Sequence, residues 1–499
     1  MRADLAQLLS GMGRPSIAVV GDAISDEYIW GEVERISPEA PIPVLKATRS
    51  EYRAGGAGSV VANLRALDVD VHFFSVRGDD AAGSRLASLF ERDGACIAGL
   101  LVDKMRPTTS KTRHVGFVQH ANRAMQQLLR VDHEVRKPIE EGTIDALVRA
   151  FRAQAKKFDV VLVSDYRKGL ISEELLARLR DAAPGVPFFL DPALLKDYSL
   201  YRGVDLICPN RYEAGLAAGR EIQDVSCCRQ VARELAGELD VAAVAVTMDR
   251  EGIFLHERTG VDLHFPTKAR VVADVSGAGD MVLSLLGLVV AAGGTLEQGV
   301  ELANVAAGIE VRKMGATPVS RTEILQELRY GGHPGAAKIK KREELLPAVE
   351  AARQAGKSIV FTNGCFDLLH FGHQHLLNGA AQEGDLLIVA VNNDASIRRL
   401  KGPDRPQTEE EVRLLMIAAL EGVDYVISFE EDTPIPLLET LRPDVLVKGE
   451  EYRTGTVVGR ELVESYGGRI AFVSQVPGIS TTSLLARGVE GADGGKRPR

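Results

Sequence analysis

SIVFTNGCFDLLHFGHQHLL, residues 358–377, reads as a strand, a tight turn and the start of a helix. The β-branched run SIVFT leads into Thr362–Asn363–Gly364, and helix-compatible residues follow. His370 and His373 are spaced i, i+3, so they share one helical face near its start. Gly372 between them removes a side chain where a ligand could press against backbone. Two imidazoles beside helix-terminal N–H groups form a set of donors for phosphate oxygens. Such donors stabilise the charge that builds up when an α-phosphate is attacked, without a covalent intermediate. Zinc is a poorer reading of Cys365, His370, His373 and His375. His373 and His375 are i, i+2, and no second Cys/His cluster accompanies them. AGKS (355–358) is not a P-loop, because Ala351 stands where that pattern needs Gly and the stretch precedes the strand.

Outward from this stretch the strand–helix alternation continues. Downstream come DLLIVAV (385–391), DYVISF (424–429), DVLVKG (444–449) and RIAFVS (469–474), separated by helical patterns. Upstream, a helix over 342–355 is preceded by RYGGHPGAAKIKK (329–341), whose Gly, Pro and basic cluster predict a linker. Before the linker the pattern runs through SIAVVG (16–21), VDVHFFSV (69–76), DVVLVSD (159–165), VPFFLD (186–191), DLICPN (205–210) and VAAVAVTM (241–248). Alternation of this kind predicts α/β units with mostly parallel sheets, whose ligands sit at the carboxyl ends of the strands. The expected domains are 1–330, a linker at 331–341, and 342–490. A polar, Gly-rich flexible tail is expected at 491–499.

The most informative string of the first half is DVSGAGDMVLSLLGLVV (274–290). The turn Gly277–Ala278–Gly279 lacks bulky side chains, so its amides can approach an anion. It opens an apolar helix over 281–292, whose N-terminus carries partial positive charge. Asp280 at that start is ill suited to binding phosphate. It is well suited to taking a proton from a hydroxyl that attacks one. Plain helix capping would place the same residue types there.

This half resembles the ribokinase-like sugar kinases of the PfkB family over nearly its whole length. Residues 274–280 match the family's C-terminal signature, and Gly55–Gly56 in RAGGAGSVVANL match its N-terminal one. The start GDAISD and the element CPNRYEA complete the resemblance. It implies that Asp280 is the catalytic base and that the amides of Gly277, Ala278 and Gly279 form the anion hole. It places Asp26, Gly55 and Gly56 at the sugar, and Asn210 and Glu213 near Mg²⁺ and the ATP phosphates. Taken singly, Gly55–Gly56 could be a tight turn, Asp26 a helix cap, and Asn210 with Glu213 a capping box. The strings ERISPEAPIPVLK (34–46), RHVGFVQHANRAMQQLLRVD (113–132) and SDYRKGL (164–170) resemble the heptose-7-phosphate kinase branch. A substrate phosphorylated at its far end needs a basic clamp remote from Asp280. Lys111, Arg113, Arg123 and Lys168 are candidates among which sequence does not choose. Ser59 stands where the family usually has Asn.

The second half resembles the HxGH nucleotidyltransferases of the cytidylyltransferase-like family. By that resemblance His370 and His373 are catalytic, and Thr362, Asn363, Gly364 and Phe366 line the nucleotide. Lys401 in RRLKGPDRP and Ser480, Thr481 and Thr482 in GISTTSLL hold its phosphates. Lys448 in DVLVKGEEY lies near the sugar phosphate, although Glu450–Glu451 replace the usual Gly–Asp. EVRLLMIAAL, with Arg413, resembles the helix after the Lys/Arg loop. The fold expected is therefore a ribokinase-like domain followed by a smaller Rossmann-like nucleotidyltransferase domain.

Together the halves resemble the bifunctional heptose enzymes of Gram-negative bacteria. The resemblance implies phosphorylation of D-glycero-β-D-manno-heptose 7-phosphate at C1 with ATP and Mg²⁺. After a separate phosphatase acts, heptose 1-phosphate is joined to AMP from a second ATP. The ADP-heptose formed feeds the lipopolysaccharide core, and a homo-oligomer, a dimer, is expected. Another sugar or polyol phosphate with CTP, or a non-catalytic nucleotide sensor, are the alternatives. A sensor has no need of Asp280, His370 and His373.

Composition agrees with these readings. With 499 residues, a prior of about 150 per domain suggests roughly three domains, although single α/β domains run larger. Sixty Lys+Arg against 69 Asp+Glu leave a net charge of −9, which argues against a nucleic-acid or membrane-surface binder. Cys96, Cys208, Cys227, Cys228 and Cys365 are too sparse for a disulfide framework. A reducing cytoplasm is expected, and MRADLAQLLSGMGRP (1–15) has no apolar run of signal-peptide length. The apolar run at 281–294 is too short to span a bilayer, which needs about 20 residues.

Overall fold

The computed structural model describes residues 2–118, 125–267, 277–313, 317–331 and 333–474. They fall into two compact units, with the division between Arg329 and Tyr330.

The first unit holds β1 (Ser16–Gly21), β2 (Ala23–Ile36), β3 (Pro43–Gly56), β4 (Asp70–Arg77), β5 (Cys96–Val102), β6 (Ser110–Val118) and β7 (Met125–His133). It continues with β8 (Val160–Ser164), β9 (Phe188–Asp191), β10 (Leu206–Ile207), β11 (Ala243–Thr247), β12 (Ile253–Glu257) and β13 (Val261–Phe265). Among the described residues, nine strands form one sheet in the order β13-β12-β11-β10-β9-β8-β1-β4-β5. All neighbours are parallel except the hairpin β11-β12-β13. The run Ile17–Val20 shows why this sheet is buried on both faces. Ile17 and Val19 join one apolar cluster, with the helices Ala57–Ala66 and Ala278–Ala291, and Ala18 and Val20 join the other, with Glu141–Arg152 and Val225–Leu239. Strand order reverses at β1, which lies between β8 and β4. A crevice at the strand ends is the usual consequence.

The strands β3-β2-β6-β7 form a second sheet that the sequence pattern did not predict. β2 and β3 are each 14 residues long and pair antiparallel, while β6 runs parallel to β2. Much of β3 is exposed, so this sheet stands apart from the two cores.

The second unit holds β14 (Ile359–Gly364), β15 (Leu386–Asn392), β16 (Tyr425–Phe429), β17 (Val445–Gly449) and β18 (Arg469–Val473), all parallel, in the order β16-β15-β14-β17-β18. Val360 and Phe361 face opposite apolar clusters, so helices cover both sides here too. Of the stretch 331–341, expected as a linker, the described residues 333–341 are built into this unit. Pro334–Lys338 form a short helix, Ala336 and Ile339 are buried, and Ile339 bridges to Val426. Burial of these two apolar residues outweighs the Gly/Pro signal, which marked a turn rather than a free connector. The tail at 491–499 lies outside the described residues.

Candidate functional sites

The helix Ala278–Ala291 starts three residues before the predicted 281, so Gly279 and Asp280 lie in its first turn. Gly277 caps it at φ 98°, a conformation open to glycine and strained for other residues. The first amides of such a helix have no intrahelical partner. Among the described residues, a Cβ at Gly279 would meet nothing within 4 Å, which leaves room beside the turn for a ligand. Asp274 lies outside the described residues.

Asp280 is buried, at 5% exposure, and its carboxyl is held by two hydroxyls. Tyr166 Oη donates to both oxygens at 3.2 Å, and Ser59 supplies the second hydrogen bond. Burial raises Asp280 to about 7, with Asp26 pushing the same way, while the two hydroxyls and Lys111 oppose the rise. Ser59 thus contacts the carboxylate itself.

Asp26, on β2, is brought to the same side. Arg113 on β6 donates to its Oδ1 at 2.5 Å. A Cβ at Gly55 would lie 2.0 Å from Asp26 Oδ2, so only glycine leaves the carboxylate its place. Gly56 caps the helix Ala57–Ala66. Asp22, which the sequence reading did not single out, accepts the backbone N–H groups of Tyr166 and Lys168 at 2.9 Å each. Burial raises it to about 6.

Asn210 and Glu213 form a reciprocal capping box on the helix Arg211–Ala217. Asn210 Oδ1 accepts from the Glu213 amide and Glu213 Oε2 accepts from the Asn210 amide, each at 2.9 Å. The bland reading of these residues is therefore realised. Glu213 nevertheless lies close enough to Asp191, at the end of β9, to push it upward. Burial is the larger cause there, and Asp280 and Asp165 add to it. Among the described residues no three His, Cys, Asp or Glu side chains converge as a metal cage. A divalent ion carried on a triphosphate needs only one or two carboxylates besides phosphate oxygens. Asp191 and Glu213 are a hard-oxygen donor pair that fits it.

In the second unit His370 caps the helix Phe371–Ala381, and the rings of His370 and His373 stack at 3.8 Å and 19°. Both Nδ1 atoms are buried with no hydrogen-bond partner among the described residues. Burial lowers both imidazoles, and His370 and Lys401 press His373 further down to about 4. Two imidazoles at a helix start can donate hydrogen bonds to a bound phosphate. Asn363, near the end of β14, accepts from Lys448 Nζ at 2.6 Å, and burial lowers that lysine to about 8. Thr362 Oγ1 donates to the Val447 carbonyl, so its hydroxyl ties β14 to β17. Phe366 packs on His373 at 5.2 Å and against Gly364, from a left-handed backbone at φ 48°. Glu451 folds back over Gly449. Lys401 is exposed at the end of the helix Asp394–Lys401. Ser480, Thr481 and Thr482 lie outside the described residues.

Two residues of this unit had no assigned role and prove to hold its loops. Arg413, fully buried, donates to the carbonyls of Cys365, Asn392 and Thr408 and to Asp394 Oδ1, at 2.6–2.9 Å. Asp367 pairs with Arg405 and accepts the Gln407 amide at 2.6 Å. Arg413 carried a usable signal: it interrupts the apolar face of EVRLLMIAAL, where a cation needs buried partners.

Residues 14–323 match the pfkB family carbohydrate kinases and residues 361–486 match the cytidylyltransferase-like family. The first unit is similar in fold to phosphofructokinase-2 from Escherichia coli in complex with substrates and products. That likeness has 17% identity and a TM-score of 0.51, over 64% of this chain and 99% of that one. Bifunctional protein HldE of Syntrophotalea carbinolica is 44% identical over 488 residues, covering 97% of this chain and 98% of its own. Its counterpart from Geobacter metallireducens is 46% identical over 470 residues, covering 94% of each. With both halves matched in order and the likeness running nearly end to end, the chain belongs to the bifunctional HldE family.

Proposed function

We propose that the two sites carry out successive steps on one sugar. The chain is a sugar-phosphate kinase and a nucleotidyltransferase. The kinase phosphorylates D-glycero-β-D-manno-heptose 7-phosphate at C1, and the transferase makes ADP-heptose, a lipopolysaccharide precursor, from heptose 1-phosphate and ATP. In the first reaction Asp280 takes the proton of the C1 hydroxyl, that oxygen bonds to the γ-phosphorus, and ADP leaves. Asp26 orients sugar hydroxyls above Gly55 and Gly56, and the amides of Gly277, Ala278 and Gly279 receive the transferred phosphoryl oxygens. Asp191, together with Asn210 and Glu213, faces the ATP phosphates. Mg²⁺ held there would offset phosphate charge.

In the second reaction a sugar-phosphate oxygen bonds to the α-phosphorus of ATP and pyrophosphate leaves. His370, His373 and Lys401 donate to the phosphates as their charge grows, and Lys448 faces the sugar phosphate. Thr362, Asn363, Gly364 and Phe366 shape the floor, and the family resemblance gives Ser480, Thr481 and Thr482 the nucleotide phosphates.

One feature shared by the two units supports this reading. Each reactive side chain stands at a helix start, where free amides favour an anion. Among the described residues no helix is long and apolar enough to cross a membrane. We place the enzyme in the cytoplasm as a homodimer, acting on neither nucleic acid nor lipid. The test is incubation of the protein with heptose 7-phosphate, then with heptose 1-phosphate, and each nucleoside triphosphate. A bisphosphate and ADP-heptose, both from ATP, are expected. Turnover with CTP in place of ATP would overturn the adenylyl assignment.

A further inference from the structure

One face of the sheet β3-β2-β6-β7 carries a row of charges centred on one lysine. Lys111 on β6 lies opposite Asp26 on β2 and opposite Asp132 on β7, and Tyr28, Arg113 and Arg130 form the next row on the same face. Nearly every neighbouring cation there has a carboxylate. Arg113 donates to Asp26, Arg130 makes two bonds of 2.9 Å to Asp132, and Lys168 pairs with Glu134. Lys111 has no hydrogen bond or ion pair among the described residues; its ammonium lies 5.6 Å from the centre of the Tyr166 ring. It is half-buried and faces Asp26, Lys168, Arg113 and Arg130. Four cations, Lys111, Arg113, Arg130 and Lys168, meet three carboxylates, Asp26, Asp132 and Glu134, and Lys111 is the one left without a partner among the described residues, in a place of reduced hydration. That is the setting in which a dianion binds.

Lys111 also has a fixed relation to the reacting end. The hydroxyl of the ring it overlies is the one bonded to both oxygens of Asp280. A single aromatic ring therefore stands between an unpaired ammonium and the carboxylate at the site of transfer. A sugar that carries a phosphate at one end and its reacting hydroxyl at the other meets both groups at once.

We propose that Lys111 binds the phosphate at the far end of the sugar substrate and so sets the preference for a sugar phosphate over the free sugar. Arg113 and Lys168 line the same place, but their paired carboxylates restrict them to supporting the field. This rests on the kinase reading given above. The charge of Lys111 falls into place only when a phosphate arrives, so discrimination follows from the unpaired cation that the free sugar leaves behind.

The experiment compares kcat/KM for heptose 7-phosphate with kcat/KM for unphosphorylated heptose, in the wild-type chain and in Lys111→Met. The assay is run at pH 8.5, where Asp280 is ionised in both proteins. The ratio between the substrates is expected to fall on the order of 10- to 100-fold, mostly through KM for the phosphorylated sugar. Lys111→Arg is expected to recover part of it. An unchanged KM for ATP in the kinase reaction, with an unchanged melting temperature of the full chain, establishes that each variant is folded. An unchanged ratio, or an equal loss on both sugars, would overturn the proposal, the latter by placing Lys111 on the transferred phosphoryl group. If the wild-type chain phosphorylates neither sugar, the kinase reading itself falls.

Discussion

The kinase cradle and the nucleotidyltransferase cradle start from the same element, a helix whose first amides are free, yet burial drives their reactive groups in opposite directions. Desolvation penalises charge in both. It raises the Asp280 carboxyl to about 7 and lowers the His373 imidazole to about 4. The first shift turns a weak base into one matched to neutral pH. The second keeps the rings uncharged until a triphosphate brings in negative charge. One physical cause thus suits Asp280 to the proposed role of proton acceptor and His373 to the proposed role of phosphate-directed donor.

The sharpest way to break this comparison is to remove one group at a time. Asp280→Asn is expected to lower kinase turnover by about 10³-fold or more while pyrophosphate release from heptose 1-phosphate stays within about twofold. His373→Ala is expected to lower pyrophosphate release by about 10²- to 10³-fold and spare the kinase. Loss of both activities in either folded variant would show that the two sites are not independent.

Acid separates the sites further. In the proposed role of base Asp280 must be ionised, so kinase kcat/KM should fall about tenfold per pH unit below about 7. Adenylyl transfer should show no matching limb there, since His373 is neutral throughout that range. A shared limb near 7 would contradict the opposite shifts.

The smallest expected effect is on stability. A carboxyl whose value is raised on folding destabilises the fold once pH rises past its unfolded value, and fully above its folded one. Asp280→Asn should therefore raise the melting temperature of the kinase unit at pH 8 by a few degrees and leave it nearly unchanged at pH 4. A gain at pH 4 as large as at pH 8 would show that relief of buried charge is not its source.

Much of this arrangement was legible in the sequence, because the sheet strands are buried on both faces and carry continuous β-branched runs. SIAVVG and DLLIVAV announce themselves in this way. The four-stranded sheet did not, since strands such as AISDEYIWGEVERI (23–36) carry charged residues along most of their length. Charged residues fall on both faces of this strand, so no apolar alternation survives. The Gly277–Asp280 turn and the i, i+3 histidines were visible because each lies within a few consecutive residues. The hydroxyls of Ser59 and Tyr166 on Asp280 were not, for they arrive from 221 and 114 residues away and have no local pattern. Asn210 and Glu213 teach the reverse: their spacing encodes a helix cap, and the cap forms whatever else the pair does.

Arg413 gives the second unit a single point of failure. One guanidinium fastens the chain just after β14, the end of β15 and the segment before its own helix. Those three loops cannot drift separately while it holds. A substitution at this buried position would release all three segments together, including the one that joins Gly364 to Phe366.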